Sequence, residues 1–129
     1  MSWSYYDDPR PDIQAVVQAP GWRFLDVGCA SGALGAALKE IGAVYVAGIE
    51  GHPVAAAKAR GRLDVVVEGD ILSAPLPFLP GEFDCVIFAD VLEHLPDPAA
   101  VLQRYLPYLR PAGRVVVSVP NMRFYSVLL

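Results

Sequence analysis

Asp26-Val27-Gly28-Cys29-Ala30-Ser31-Gly32 closes one apolar run, Trp22 to Leu25, and opens a helical pattern that reaches Ile41. Strand, glycine turn and helix in that order open a nucleotide-type α/β unit. Glycines at such a turn let the backbone come close to a ligand. Asp26, two residues before the first glycine, sets the sign of that ligand. A pyrophosphate lying on the turn would meet the Asp26 carboxylate, and like charges in a partly dry site repel. A phosphate-free cofactor with a cationic centre meets no such penalty.

Outward from this turn the pattern alternates. The lead contains Asp8-Pro9-Arg10-Pro11, a helix start with prolines in the first turn, and Ile13, Val16 and Val17 give it one apolar face. The first strand is predicted over Arg23 to Val27. Ser31 is expected to cap the next helix, whose Leu34, Ala37, Leu38 and Ile41 follow helical spacing. Strands are predicted over Val44 to Ile49, Asp64 to Glu68, Phe83 to Ala89 and Arg114 to Val119. Helices are predicted from Pro53 to Arg60 and after Asp97-Pro98. The proline-rich stretch from Ser73 to Gly81 reads as a loop, and Arg110 to Gly113 as a turn. Asn121 is a candidate cap for a last helix. Right-handed crossovers make this β-α-β alternation a doubly wound parallel sheet.

Composition agrees. The 129 residues suit one domain, with a lid or helix over residues 1–20 and a core over 21–129. They are 54% hydrophobic and 19% charged, which fits strands buried on both faces. A net charge of −4 with no basic cluster argues against a nucleic-acid surface. No apolar run approaches the roughly 20 residues of a membrane span. Cys29 and Cys85 read as reduced thiols, and with no visible signal peptide this implies a cytoplasmic setting.

Five features fall at the C-terminal ends of strands, where open α/β sheets bind ligands. The first is the glycine turn. Glu50 can accept hydrogen bonds from both hydroxyls of a ribose; it also reads as a solvated loop acid. Asp70 can accept from an adenine amino group with Ile71 against the ring, or can simply cap a turn. Asp90 to Leu95 faces the reacting end, with His94 a candidate base near neutral pH or a packing residue. Glu93 and His94 fall short of a metal-ligand set, so no metal is expected. Tyr5, Tyr6 and Arg10 can form a lid, with Arg10 meeting a carboxylate. Cys29 as a nucleophile is disfavoured, because no histidine is near it and a ligand would take its space. The dinucleotide fingerprint is incomplete, since Gly28, Ala30 and Ala33 would have to fill its three glycine slots.

Together these motifs resemble the class I S-adenosylmethionine (SAM)-dependent methyltransferases. Leu25 to Gly32 looks like the family's first motif, Glu50 like its ribose acid and Gly69-Asp70-Ile71 like its adenine motif. Phe83 to His94 resembles the motif around the fourth strand, and Leu109 to Arg114 the turn before the fifth. The resemblance implies a Rossmann-like, mainly parallel five-stranded sheet of order 3-2-1-4-5 and a SAM cofactor leaving as S-adenosylhomocysteine. It assigns Asp26, Gly28, Cys29, Ala30 and Gly32 to the cofactor, then Glu50, Gly51 and His52, then Asp70, Ile71, Ala89 and Asp90. His94 and Asp90 are its candidates for catalysis on an unidentified acceptor, a small molecule or a glycan or lipid intermediate; the alternative is a non-catalytic SAM-binding module or the cofactor-binding half of a larger methyltransferase. The family's terminal β-hairpin is expected to be missing. The fifth strand then becomes an unpaired edge, through which, or through the C-terminal segment, two copies would pair.

Overall fold

The computed structural model describes residues 7–120 and 125–128. Five parallel strands, β1 (Arg23–Val27), β2 (Tyr45–Glu50), β3 (Val65–Glu68), β4 (Phe83–Ala89) and β5 (Leu109–Ser118), pair in the order β3-β2-β1-β4-β5. A sixth, β6 (Tyr125–Leu128), runs antiparallel along β5, with Arg114 opposite Leu128. Among the described residues α1 (Pro11–Gln14) precedes β1, and α2 (Ala33–Glu40), α3 (Pro53–Arg60) and α4 (Pro98–Tyr105) lie between strands.

Alternation along the strands sorts the side chains. Leu25, Val27 and Phe88 join Val101 and Tyr105 of α4 in one core layer. Phe24, Val46 and Ile87 join Ile13 of α1 and Leu34 and Leu38 of α2 in the other. Both sheet faces are thus covered, which is why the strands read as near-continuous apolar runs. Pro53 and Pro98 occupy first-turn positions. His52 Nδ1 accepts from Ala55 N–H (3.4 Å) and Asp97 Oδ1 from Ala100 N–H (3.1 Å), so each helix start has a side-chain cap.

Four expectations are corrected. The α2 cap is Gly32 (φ +83°), and no side chain caps it; the Ser31 hydroxyl instead donates to Asp7 Oδ1 (2.8 Å). The tight turn demands a left-handed residue at the cap, and serine pays a steric cost there that glycine does not. Arg110 to Gly113 lies inside β5, where the register shifts between Phe83 and Cys85 and Ala112 takes φ +61°. That is a bulge, which carries turn residues without ending the strand. Beyond Pro120 the chain forms β6 where a last helix was expected, so the hairpin is not wholly missing. For the same reason β5 is not an open edge: its ladder groups are already paired, which removes the proposed route to a dimer through it. The expected lid residues Tyr5 and Tyr6, and Asn121, lie outside the described residues. No helix among the described residues is long and apolar enough to cross a membrane.

Candidate functional site

The first motif makes its turn by three left-handed residues, Gly28 (φ +80°), Ala30 (φ +51°) and Gly32 (φ +83°). Alanine in that region is strained, so something must hold it. Glu50 Oε1 accepts from Ala30 N–H (2.8 Å), and its Oε2 accepts from His52 N–H (2.9 Å). Gly28 and Cys29 N–H both donate to Ile49 O (2.8 and 2.9 Å). The end of β2 therefore braces the turn that ends β1.

Beside this turn is a cavity of about 80 Å³ lined by Asp8, Arg10, Asp26, Gly28, Cys29, Ala30, Leu34, Ala89 and Asp90. Asp26 is 2% exposed, and its Oδ1 has no hydrogen-bond partner among the described residues. A buried carboxylate without a donor is costly. Burial first, then the charge of Glu50, pushes its pKa up to about 7, while Arg10 pulls the other way. Among the described residues that oxygen is therefore left able to accept from a donor in the cavity.

Arg10 comes from the strap before α1. Its Nε and Nη2 donate to the two Asp12 oxygens (3.1 and 3.0 Å), Nη1 to Asp90 Oδ2 (3.0 Å) and Nη2 also to Ser118 Oγ (3.2 Å). Ser118 Oγ in turn donates to Asp90 Oδ1 (2.8 Å) and accepts from Asp90 N–H (3.1 Å). Asp90 is held left-handed (φ +55°) by these contacts. A second clasp joins the strap to the turn, since Arg62 Nη1 and Ser31 Oγ both donate to Asp7 Oδ1 (2.8 Å each). Arg10→Gln is expected to lower stability in urea unfolding by about 1–2 kcal/mol, the scale of charge-assisted hydrogen bonds on a part-exposed cluster. The Arg10 hydrogen bond holds Asp12 below the usual carboxylate range. That part of the difference is present at neutral pH and fades as pH falls below about 4.

Seven predicted residues meet at the cavity: Arg10, Asp26, Gly28, Cys29, Ala30, Ala89 and Asp90. Glu50, Gly51, His52, Asp70 and Ile71 lie outside its lining along the ends of β2 and β3, and Gly32 caps α2. Ile71 still reaches the turn: its Cδ1 is 3.6 Å from where a Gly28 Cβ would stand. Asp70 is exposed, and its Oδ1 accepts from Leu72 N–H (2.7 Å), the turn-capping geometry. His94 sits in a short 3₁₀ turn (Leu92–His94), 65% exposed and outside the cavity, with Nε2 3.8 Å from Glu93 Oε2. Burial drives the Cys29 thiol far above its usual range, which leaves no nucleophile there. Among the described residues no group of three or more metal-ligating side chains comes together. Sequence reasoning missed Ser118, since a serine closing an apolar strand carries no pattern of its own.

Residues 5–128 match the family described as a methyltransferase domain. The ubiquinone biosynthesis O-methyltransferase of Xanthomonas campestris pv. campestris is 36% identical over 114 residues, 84% of this chain and 47% of the relative. The protein of the same name from Thiobacillus denitrificans is 38% identical over 114 residues, 84% of this chain and 49% of the relative. The chain thus spans about half the length of the curated relatives it matches. Among solved structures, an S-adenosylmethionine-dependent methyltransferase from Mesorhizobium loti aligns with TM-score 0.73 at 25% identity, over 84% of this chain and 52% of that one. The [4+2]-cyclase SpnF aligns with TM-score 0.70 at 26% identity, over 91% of this chain and 46% of that one. Strand order, braced glycine turn and family match agree, and the chain belongs to the class I S-adenosylmethionine-dependent methyltransferase family.

Proposed function

We propose that this chain binds SAM and carries the cofactor side of methyl transfer to an oxygen of a small molecule. The observation that carries the reading is the unpartnered Asp26 Oδ1 at the cavity wall. SAM has an ammonium on its amino-acid end and a sulfonium, and a buried acid suits the first. A cavity of about 80 Å³ holds only that end; the nucleoside would run outward over the turn toward Glu50 and Asp70. Arg10 keeps one Nη1 N–H beyond its four described hydrogen bonds, enough to meet the cofactor carboxylate. Glu50 has lone pairs left for ribose hydroxyls, and Asp70 for an adenine amine.

When bound, the cofactor supplies an electrophilic methyl on a positive sulfur, which leaves as a neutral thioether. The protein's part is to orient the acceptor and take its proton. Asp90, fixed by Arg10 and Ser118, stands at the cavity wall where an acceptor would approach. His94 is the proposed base on the same loop. The relatives named O-methyltransferase favour oxygen as the attacking atom. Calorimetry with SAM, S-adenosylhomocysteine and NAD side by side tests the reading. The first two are expected to bind, and NAD to bind at least tenfold more weakly, because its pyrophosphate faces Asp26 and Asp90. Tighter uptake of NAD would end the proposal.

A second reading, a cofactor-binding module without transfer of its own, is favoured by the exposure of His94 away from the cavity. Wild-type turnover separates the two, since any methyl transfer to a small phenolic acceptor removes the module reading, and one variant then tests the base. If His94 is the base, His94→Ala lowers turnover on a small phenolic acceptor by about a hundredfold or more with S-adenosylhomocysteine affinity unchanged. Turnover that survives the substitution removes the assignment.

A further inference from the structure

The loop that follows β3, residues 69–74, is held from two sides. On its inner side Gly69 N–H donates to Glu50 O (3.0 Å), and Ser73 and Ala74 N–H to Asp70 O (3.2 and 2.8 Å). Its outer anchor is α4. The Ile71 carbonyl accepts from Tyr105 Oη (2.6 Å) and from Arg104 Nε (3.0 Å), and Arg104 Nη2 donates to Ala74 O. Tyr105 is fully buried, and its ring packs edge-on against Phe88 of β4 with centroids 6.0 Å apart. Burial pushes its phenol up to about 12, so it stays a donor at neutral pH.

This clamp acts on one peptide plane. The Ile71 carbonyl points to α4 while the Ile71 side chain lies over Gly28, on the ligand side of the turn. That carbonyl shares its rigid peptide plane with the Leu72 N–H, which donates to Asp70 Oδ1 (2.7 Å), and its two donors also fix the backbone from which the Ile71 side chain projects. Without those donors the plane can rotate and take the Leu72 N–H off the Asp70 carboxylate. Placement of both candidate adenine contacts therefore depends on donors from a helix that does not line the cavity.

We infer that Tyr105 and Arg104 are positioning residues that set purine selectivity, by holding Asp70 and Ile71 in the register that recognises an adenine ring. The inference rests on the SAM-binding reading above. It ranks ligands by the six-position of the purine. Adenine offers an amine that an Asp70 carboxylate accepts from; hypoxanthine offers a carbonyl that faces the same carboxylate lone pair to lone pair.

The test is calorimetry of the full chain with S-adenosylhomocysteine and S-inosylhomocysteine. Wild type is expected to favour the adenine ligand. Tyr105→Phe is expected to cut that preference by about threefold to tenfold, the yield of one neutral hydrogen bond. Arg104→Gln, on a half-buried side chain, is expected to cut it similarly and carries the test should loss of the phenol prevent folding. General destabilisation lowers both affinities together and leaves their ratio alone, so the ratio reports positioning. A preference unchanged in folded Tyr105→Phe and Arg104→Gln, with wild type binding S-adenosylhomocysteine, overturns this inference while the SAM reading stands. Wild type that binds neither ligand overturns both.

Discussion

Asp26→Asn is expected to make the ligand-free protein more stable and the cofactor complex far weaker. The opposition follows from one buried oxygen. In the wild type the folded state must desolvate a carboxylate whose Oδ1 has no donor among the described residues, and its pKa rises to about 7. An acid whose folded pKa lies above its unfolded one binds more protons when folded. Its contribution to stability is therefore greatest below about pH 4 and declines as pH rises to about 7, then stays flat. Asparagine does not ionise, so the variant lacks this decline. It still buries an amide, which returns part of the gain, and the net is about 1–3 kcal/mol of added stability at pH 8. At pH 4 the difference closes. Urea unfolding at the two pH values reads both signs.

Binding responds the other way. A cofactor ammonium needs the ionised carboxylate, so wild-type affinity for SAM is expected to fall by up to about tenfold per unit below pH 7 and to level off above it. Asp26→Asn loses about thirtyfold or more at pH 8, the scale for removing one partner of a buried charge pair, and its pH profile is flat. Methylthioadenosine has no ammonium and should show neither effect. A wild-type profile without slope would mean that Asp26 does not face the ammonium, whatever else binds there.

The sequence was legible where local chemistry and packing agree. Phe24, Leu25 and Val27 are apolar on both faces and end at a glycine turn, so β1 had one reading, and Pro53 and Asp97-Pro98 mark helix starts that nothing contradicts. It was illegible where a long-range partner decides. Ser31 looks like a cap until Asp7 and Arg62 take its hydroxyl. Arg110 to Gly113 has turn chemistry but bulges out of β5 between the pairs Phe83–Leu109 and Cys85–Arg114, which hold the register on either side of it. Tyr125 to Leu128 had no periodicity to separate strand from helix, and β5 settles it by offering an edge. At the site, the glycines and acids of the strand ends could be found from motif spacing. The donors around them, Arg62 on Ser31, Arg104 and Tyr105 on Ile71 and Ser118 on Asp90, come from elements distant in the chain and carry no local signal.

Gly48→Ala should be the most damaging single methyl in the site, although Gly48 belongs to no motif. It sits in β2 directly beside Asp26 of β1. A Cβ there would stand 2.5 Å from Cys29 Sγ, 2.7 Å from Cys29 Cβ and 2.9 Å from Leu63 Cδ1. Leu63 is a flexible side chain and can yield. Cys29 cannot yield alone, because its N–H is tied to Ile49 O and its neighbours Gly28 and Ala30 hold left-handed angles. Pushing Cys29 displaces the turn on which the cofactor would rest. Overpacking of this kind costs about 1–3 kcal/mol, and a shift of a few tenths of an ångström at a braced turn lowers S-adenosylhomocysteine affinity in addition. Cys29→Ala removes the sulfur and its 2.5 Å contact but keeps the Cβ, so the double variant should recover part of both losses. Non-additivity of that sign in unfolding and calorimetry would trace the damage to this contact. If the two substitutions instead add, the glycine is needed for something other than room for Cys29, and the steric account of the turn falls.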